Sequence, residues 1–562
     1  MAININTARS TLNQADVLHL ARRAGFGMTP EQATAFIAAH GGGASGQLVD
    51  DWIDGTGIDR SAFTSALPSA DPVSEGGQDA SNGGVAQAAP PGPHPYMVQG
   101  QYAYRNSFSR AQAFLTFRMQ YDPYPYPERM ALFLHNLFAT GWSKVDNAAL
   151  MLNQWDLLTQ VGKAAAAQGA QDLAIFDNIL VEISKDPAML VWLDSVRNNA
   201  RNGAPNENYA REVMELYSLG VDNGYNQNDI TELAVALGGW NFSVAPGDVS
   251  TNPANPEDRR PAKGTFRVYD GGTLPAGELR WDLNENVQLP NMRNDSVPLT
   301  YLGTTFSNVG APPAGQAKGE PLIRQITKLR GTQSATFLAR RLLTHFVTTQ
   351  FTADEVTELA AFIVTANFDL RVVMKALLKS EYFYSDNNRF ALVEGPVSWM
   401  VRAAKLLGKD VSAAANYPAW ALAVGAFDNL GMKLLDPNGP NGWKEDTAWL
   451  NSNTVRYRTR VAAAVALAET TNYQASKEAA SKTYTIFPTD PATWFTTAPT
   501  NAGEVMARLL ELLQPGTIPV AVRQSWQAAL FTGTFDWSTD ATKRAARALA
   551  FLILCSPGGQ VY

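Results

Sequence analysis

Cysteine is almost missing from this chain: a single residue, Cys555, in 562. One thiol excludes an intrachain disulfide and any thiolate-rich metal site. It follows the apolar run Ala548–Leu554, a setting that suits a buried, inert thiol better than a nucleophile. Histidine is nearly as scarce, at five residues (His19, His40, His94, His135 and His345), which speaks against a histidine-only metal cage. No metal and no other cofactor is expected. Charge is thin as well: Asp, Glu, Lys and Arg make up 17% of residues, and the formal net charge is −7. There is no long basic run, so no nucleic-acid partner is expected; backbone binders concentrate Lys and Arg against phosphate.

No apolar run approaches the roughly 20 residues a membrane-spanning helix needs, so no membrane span is expected. The opening Met1-Ala2-Ile3-Asn4-Ile5-Asn6 has neither the basic nor the apolar region of an export signal. Either the protein stays inside the cell or its leader is missing from this chain. Also absent are the HExxH of zincins, a P-loop Gly-Lys-Ser/Thr, a Rossmann glycine pattern and a GxSxG elbow. These absences disfavour the common metalloprotease, nucleotide-binding and α/β-hydrolase readings.

What is present is apolar material, 45% of residues, mostly in helical order. The expected fold class is mainly α, a large multi-helix architecture with an irregular, partly β-hairpin insertion around 241–320. Residues 1–66 read as an N-terminal helical region, where Thr29-Pro30-Glu31 marks a helix start. Residues 67–100 are rich in Ala, Gly, Ser and Pro and read as a linker or long loop. Residues 101–240 form a central helical region, with a helix opening at Pro127 and others over Asn147–Ala167 and Asp172–Ser184. Residues 241–334 hold the insertion, with a β-like piece at Thr265–Tyr269. Residues 335–562 are helical again, from Ala335–Thr348 to Thr542–Leu554.

The most distinctive segment is a helix–turn–helix from Pro205 to Trp240. At about 100° per residue, Glu207, Asn208, Arg211, Glu212 and Glu215 share one face of its first helix. Tyr209, Val213, Met214, Leu216 and Tyr217 share the other. Gly220 suits a C-terminal cap, and Asn226 with Asp229 fits a capping box for the second helix. A solvated face with Glu207–Arg211 and Arg211–Glu215 pairs, worth about 0.2–0.5 kcal/mol each, accounts for this pattern. The alternative sets the face in a cleft, where Glu207, Glu212 or Glu215 serves as acid or base beside Arg211, and Asn206 and Asn208 bind a polar ligand. His135, among apolar neighbours, reads as a core histidine or as a proton carrier for that face. Asp295 reads as a turn residue or a ligand contact, and Trp240, Trp281 and Trp443 as core or as sugar-stacking platforms.

Asn206–Gly220, Gly224-Tyr225 and Asp229–Trp240 together resemble the signature of a bacterial family called domain of unknown function eighteen hundred. His19–Gly27, Glu128–Thr140, Ser184–Leu190, Pro396-Val397, Asn441–Trp443, Ala448–Leu450 and Leu554–Pro557 fit it too. The resemblance implies an exported protein, periplasmic or extracellular, whose companion is a sulfatase-like protein; it implies no settled activity. Where the family pattern has histidines after His135 and before Asp295, and a lysine further on, this chain has Leu137, Asn294 and Leu299.

Two functions are therefore expected in competition. One is an exported enzyme acting on a polar, carbohydrate-like substrate through a carboxylate-lined cleft, with Glu207, Glu212 and His135 as catalytic candidates and Arg211, Asn206, Asn208, Asp295 and Trp240 as substrate contacts. The other is a non-catalytic binding or assembly protein, self-association included.

Overall fold

Short polar residues set the helix boundaries. Asn13 with Asp16, Thr29 with Gln32, Asn226 with Asp229, Thr352 with Glu355 and Asn451 with Thr454 each form a capping box. In each, a side-chain oxygen takes a backbone N–H that the first turn leaves free. In this computed structural model the described residues are 3–5, 7–61, 63, 108–164, 171–198, 205–252, 255–261, 263–269, 277–281, 298–307, 317–408, 427–467, 470–471, 484–485 and 490–562. The expected linker at 67–100 lies outside them.

Three helices open the chain: α1 (Gln14–Arg23), α2 (Pro30–Ala39) and α3 (Ser45–Asp54). The central group is α4 (Phe108–Tyr121), α5 (Tyr126–Leu137), α6 (Trp142–Val145), α7 (Ala148–Val161), α8 (Phe176–Lys185), α9 (Pro187–Trp192), α10 (Asn208–Glu215) and α11 (Gln227–Ala236). After the insertion come α12 (Glu320–Leu329), α13 (Gly331–Phe346), α14 (Ala353–Thr365), α15 (Leu370–Lys379), α16 (Pro396–Leu406), α17 (Ser452–Ala466), α18 (Ala502–Leu513), α19 (Val520–Leu530) and α20 (Asp540–Cys555). The architecture is mainly α. None of these helices is long and apolar enough to cross a membrane.

Several boundaries differ from the sequence expectation. The helix expected over Asn147–Ala167 ends at Val161, and the one expected from Asp172 begins at Phe176. There the Asp172 carboxylate accepts the Ala174 N–H and makes a turn instead (3.0 Å). The insertion is β-rich. Strand β1 (Trp240–Val244) lies between β4 (Thr265–Val268) and β5 (Leu279–Arg280), all antiparallel, with Phe242 opposite Phe266. β2 (Val249–Asn252) pairs with β3 (Asn255–Pro261), and β6 (Leu299–Tyr301) with β7 (Thr304–Phe306). Leu302 and Gly303 join the last pair, both with positive φ (50° and 76°), as a two-residue hairpin turn requires.

One apolar cluster runs from Ile3 to Leu554, so N-terminal, central and C-terminal helices share a core. Helix α5 packs on α7, α13 on α14 and α17 on α20. Trp155, Trp240 and Trp399 are among its largest fully buried side chains. Each large apolar side chain so buried contributes about 1.5–3 kcal/mol before the entropy of ordering is subtracted. This shared core holds α5, α13 and the loop before α17 against one another, and a cleft forms where they meet.

Candidate functional site

The helix–turn–helix is present as α10 and α11, and its polar face is tied to its own second helix. Arg211 lies between Glu207 (3.1 Å) and Glu215 (3.2 Å) and also donates to Gln227 Oε1 (3.0 Å). Gln227 and Thr231, one turn apart on α11, each donate to Glu207 at 2.8 Å. Against the upward push of partial burial, these hydrogen bonds and the Arg211 charge hold the Glu207 carboxyl below its ordinary value. Glu212 goes the other way: burial and the nearby Glu215 charge raise its pKa to about 7. Asp229 does two jobs, capping α11 and accepting the Leu302 N–H (2.6 Å), which anchors the β6–β7 turn.

The remaining sequence candidates occupy separate places. Asn206 caps the approach to α10, accepting the Asn208 N–H (3.0 Å), and Asn208 itself is exposed. Trp240 is buried and donates to the Lys318 carbonyl (2.7 Å), with its ring edge-on to Phe266. Asn294 and Asp295 lie outside the described residues. His135 is 1% exposed between the rings of Trp155 and Trp443, and burial lowers its pKa to about 3, so it is neutral at ordinary pH. Its buried Nε2 has no hydrogen-bond partner among the described residues, Glu207 and Glu212 included. Leu137 and Leu299 are both buried apolar contacts of the core.

The residue after His135 points elsewhere. Asn136, in the last turn of α5, is bonded on every side: its Nδ2 donates to Glu445 Oε1 (2.6 Å), its Oδ1 accepts the Trp443 N–H (2.6 Å) and its carbonyl accepts from Arg341 (3.2 Å). Glu445 also receives His345 Nδ1 at 2.9 Å. Asn136, His345, Trp443 and Glu445, together with Arg129, Ser398, Asp446, Trp449 and Tyr562, line a small cleft that is partly open to solvent. Arg129 donates to Ser398 Oγ (2.6 Å) and to Tyr562 Oη (2.7 Å). Asp446 is fixed by the Val393 N–H and the Thr349 hydroxyl, both at 2.8 Å.

Local sequence explains how these groups come to the cleft. Arg341 and His345 sit four residues apart on α13, one turn on a common face. Gly442, with φ of 70°, presses its backbone against Asn136, and a Cβ there would overlap the Asn136 carbonyl and amide oxygens. Burial lowers the His345 pKa; burial pushes the Glu445 carboxyl up, but the charge His345 carries when protonated, its N–H, the Arg341 charge and the Asn136 amide outweigh that and hold Glu445 well below the ordinary carboxylate value. An ionised Glu445 can only accept, so it fixes the proton on His345 Nδ1 and leaves the lone pair on Nε2. That Nε2 is buried and has no hydrogen-bond partner among the described residues.

The sequence reading singled out His135 and passed over His345, Glu445 and Asn136. A signal was there: Glu128–Thr140, Pro396-Val397, Asn441–Trp443 and Ala448–Leu450, the weaker resembling segments, all converge on this cleft. Among the described residues, no three His, Cys, Asp or Glu side chains gather closely enough to hold a metal ion. No curated protein and no solved structure matches the chain. The family model described as protein of unknown function (DUF1800) matches residues 19–561. With nearly its whole length matched, the chain belongs to the DUF1800 family.

Proposed function

We propose that the protein is an enzyme acting on a small polar, carbohydrate-like substrate, and that its chemistry is proton transfer at the cleft, with His345 as general base. The observation that carries this reading is the His345–Glu445 pair. A carboxylate at 2.9 Å orients one ring nitrogen, and the other, buried nitrogen has no partner among the described residues. Asn136 and Arg341 position Glu445, and Arg129, Ser398 and Tyr562 offer polar contacts to the substrate. The Glu207–Arg211 network then serves to lock α10 onto α11. The extracytoplasmic setting and the sulfatase-like companion implied by the family belong to the same proposal.

The test is turnover of a panel of nitrophenyl glycosides and oligosaccharides by the full chain and by His345→Asn and Glu445→Gln. The expected loss in His345→Asn is at least about 100-fold in kcat/KM, the usual contribution of a positioned base. Turnover unchanged by that substitution rules the assignment out. A second reading, a non-catalytic binding protein, is supported by Leu137 and Leu299, apolar core residues where the resemblance implies His and Lys. Ligand binding at the cleft without turnover by the unaltered protein would select it.

A further inference from the structure

Five arginines are buried in one neighbourhood behind and beside the cleft: Arg22, Arg23, Arg129, Arg402 and Arg458, none more than 3% exposed. Only Arg402 has a carboxylate partner among the described residues, Glu394, at 2.7 Å. The other four bond neutral oxygens. Arg22 donates to the Gln514 carbonyl and Arg23 to the Asn388 carbonyl, both at 2.8 Å. Arg458 donates to Gln560 Oε1 (2.9 Å) and the Glu394 carbonyl (2.6 Å), and Arg129 to two hydroxyls. The Nε of each of these four has no hydrogen-bond partner among the described residues.

Guanidinium groups that hold backbone carbonyls together are common structural staples, and that accounts for Arg22 and Arg458. It does not account for Arg129. This side chain lines the cleft, donates among the described residues only to the Ser398 and Tyr562 hydroxyls, and lies against one Tyr562 ring together with Arg23, their guanidinium carbons 5.4 and 4.4 Å from its centre. A buried cation without a counter-ion is costly, and the cost falls when an anion arrives at it. A planar guanidinium with spare donors is suited to two oxygens of one anionic group.

We infer that the cleft binds a ligand through an oxyanion, a carboxylate or a phosphoryl group, seated at Arg129 beside Ser398 and Tyr562. The inference deepens the proposed function, on which it rests for the identity of the site: the substrate would carry its negative group at Arg129 and its reacting hydroxyl at His345. The Arg129 charge is one of the influences that keep His345 neutral, along with burial and Arg341, while Glu445 opposes them. An anion at Arg129 therefore raises the His345 pKa, which a purely structural arginine would have no means of linking to an added anion.

The experiment titrates the full chain with inorganic phosphate and, separately, acetate, against chloride at matched ionic strength, reading thermal stability and the ring-nitrogen resonances of His345. Saturable stabilisation by one of the two, with an upward shift of the His345 titration, is the expected result. Phosphate alone points to a phosphoryl ligand, and acetate alone to a carboxylate. Arg129→Met should weaken binding at least about tenfold, the loss of one charge-assisted contact. If Arg129→Met fails to fold, the resonances of the unaltered chain decide. No saturable effect of either anion overturns the inference, whatever the glycoside panel shows; binding without turnover leaves the anion site standing and removes the enzyme reading.

Discussion

The Glu207 network and the His345 cleft are made of the same parts, carboxylates, amides and a guanidinium, but the chain distances between those parts differ greatly. Arg211 bonds residues four positions away, and Thr231 reaches Glu207 across 24. In the cleft, His345 and Glu445 are 100 positions apart, Arg341 and Asn136 are 205 apart, and Asn136 and Glu445 are 309 apart. The first network is half-exposed and ties together two consecutive helices. The second is more deeply buried and ties together three segments far apart in the sequence, which the apolar core also holds together. Similar chemistry therefore has different energetic weight: surface pairs are screened by water, whereas a broken buried pair leaves a desolvated charge.

The contrast can be broken or sharpened by substitution. Glu445→Ala removes the acceptor shared by His345 and Asn136 and should destabilise by about 3 kcal/mol in urea denaturation. The Glu445 carboxyl is held below its unfolded value, so its stabilisation is present above about pH 4 and is lost as pH falls through the folded value. The gap between the unaltered protein and Glu445→Gln should accordingly close in acid; a gap constant with pH would show that charge is not what Glu445 contributes. Gly442→Ala, which drives a Cβ into Asn136 at positive φ, should cost about 2 kcal/mol and lower cleft binding, with the Glu207 network untouched.

Smaller effects belong to the helix–turn–helix. Glu212 is raised to about 7, so its contribution is present below the unfolded carboxylate value and lost as pH rises through 7. Glu212→Gln should match the unaltered protein near pH 4 and exceed it at pH 8 by about 1 kcal/mol. The reverse order would refute the burial assigned to this carboxyl. A Glu207–Arg211 double-mutant cycle should return only about 0.5 kcal/mol of coupling, shrinking with salt. A value near that of Glu445 would abolish the distinction between the two regions.

These distances also decide what could be read in advance. The mainly α class, the Asn226–Asp229 capping box and the Glu207–Arg211–Glu215 ladder all depend on neighbours within a few residues, and all were legible, as was the partly β character of the insertion. The start of α8 was not, because an Asp172 turn competed with helix there. The cleft escaped for a different reason. Asn136 and His135 are adjacent in one helix, and periodicity assigns both to the inner side of α5; only packing against α13 and the Trp443 loop makes one a core ring and the other a polar hub. Glu445 has no local pattern at all. Its role exists only through partners supplied by other parts of the chain.

The contact between Arg129 and Tyr562 spans 433 positions, the longest link in the cleft. Its consequence concerns time. Closing so wide a loop is slow relative to forming α10 and α11, whose pairing needs only local search. During refolding, the helix–turn–helix can thus be complete while the cleft is still open. Ligand capture should lag the recovery of helical signal, and binding competence then serves as a clock for the final closure of the chain.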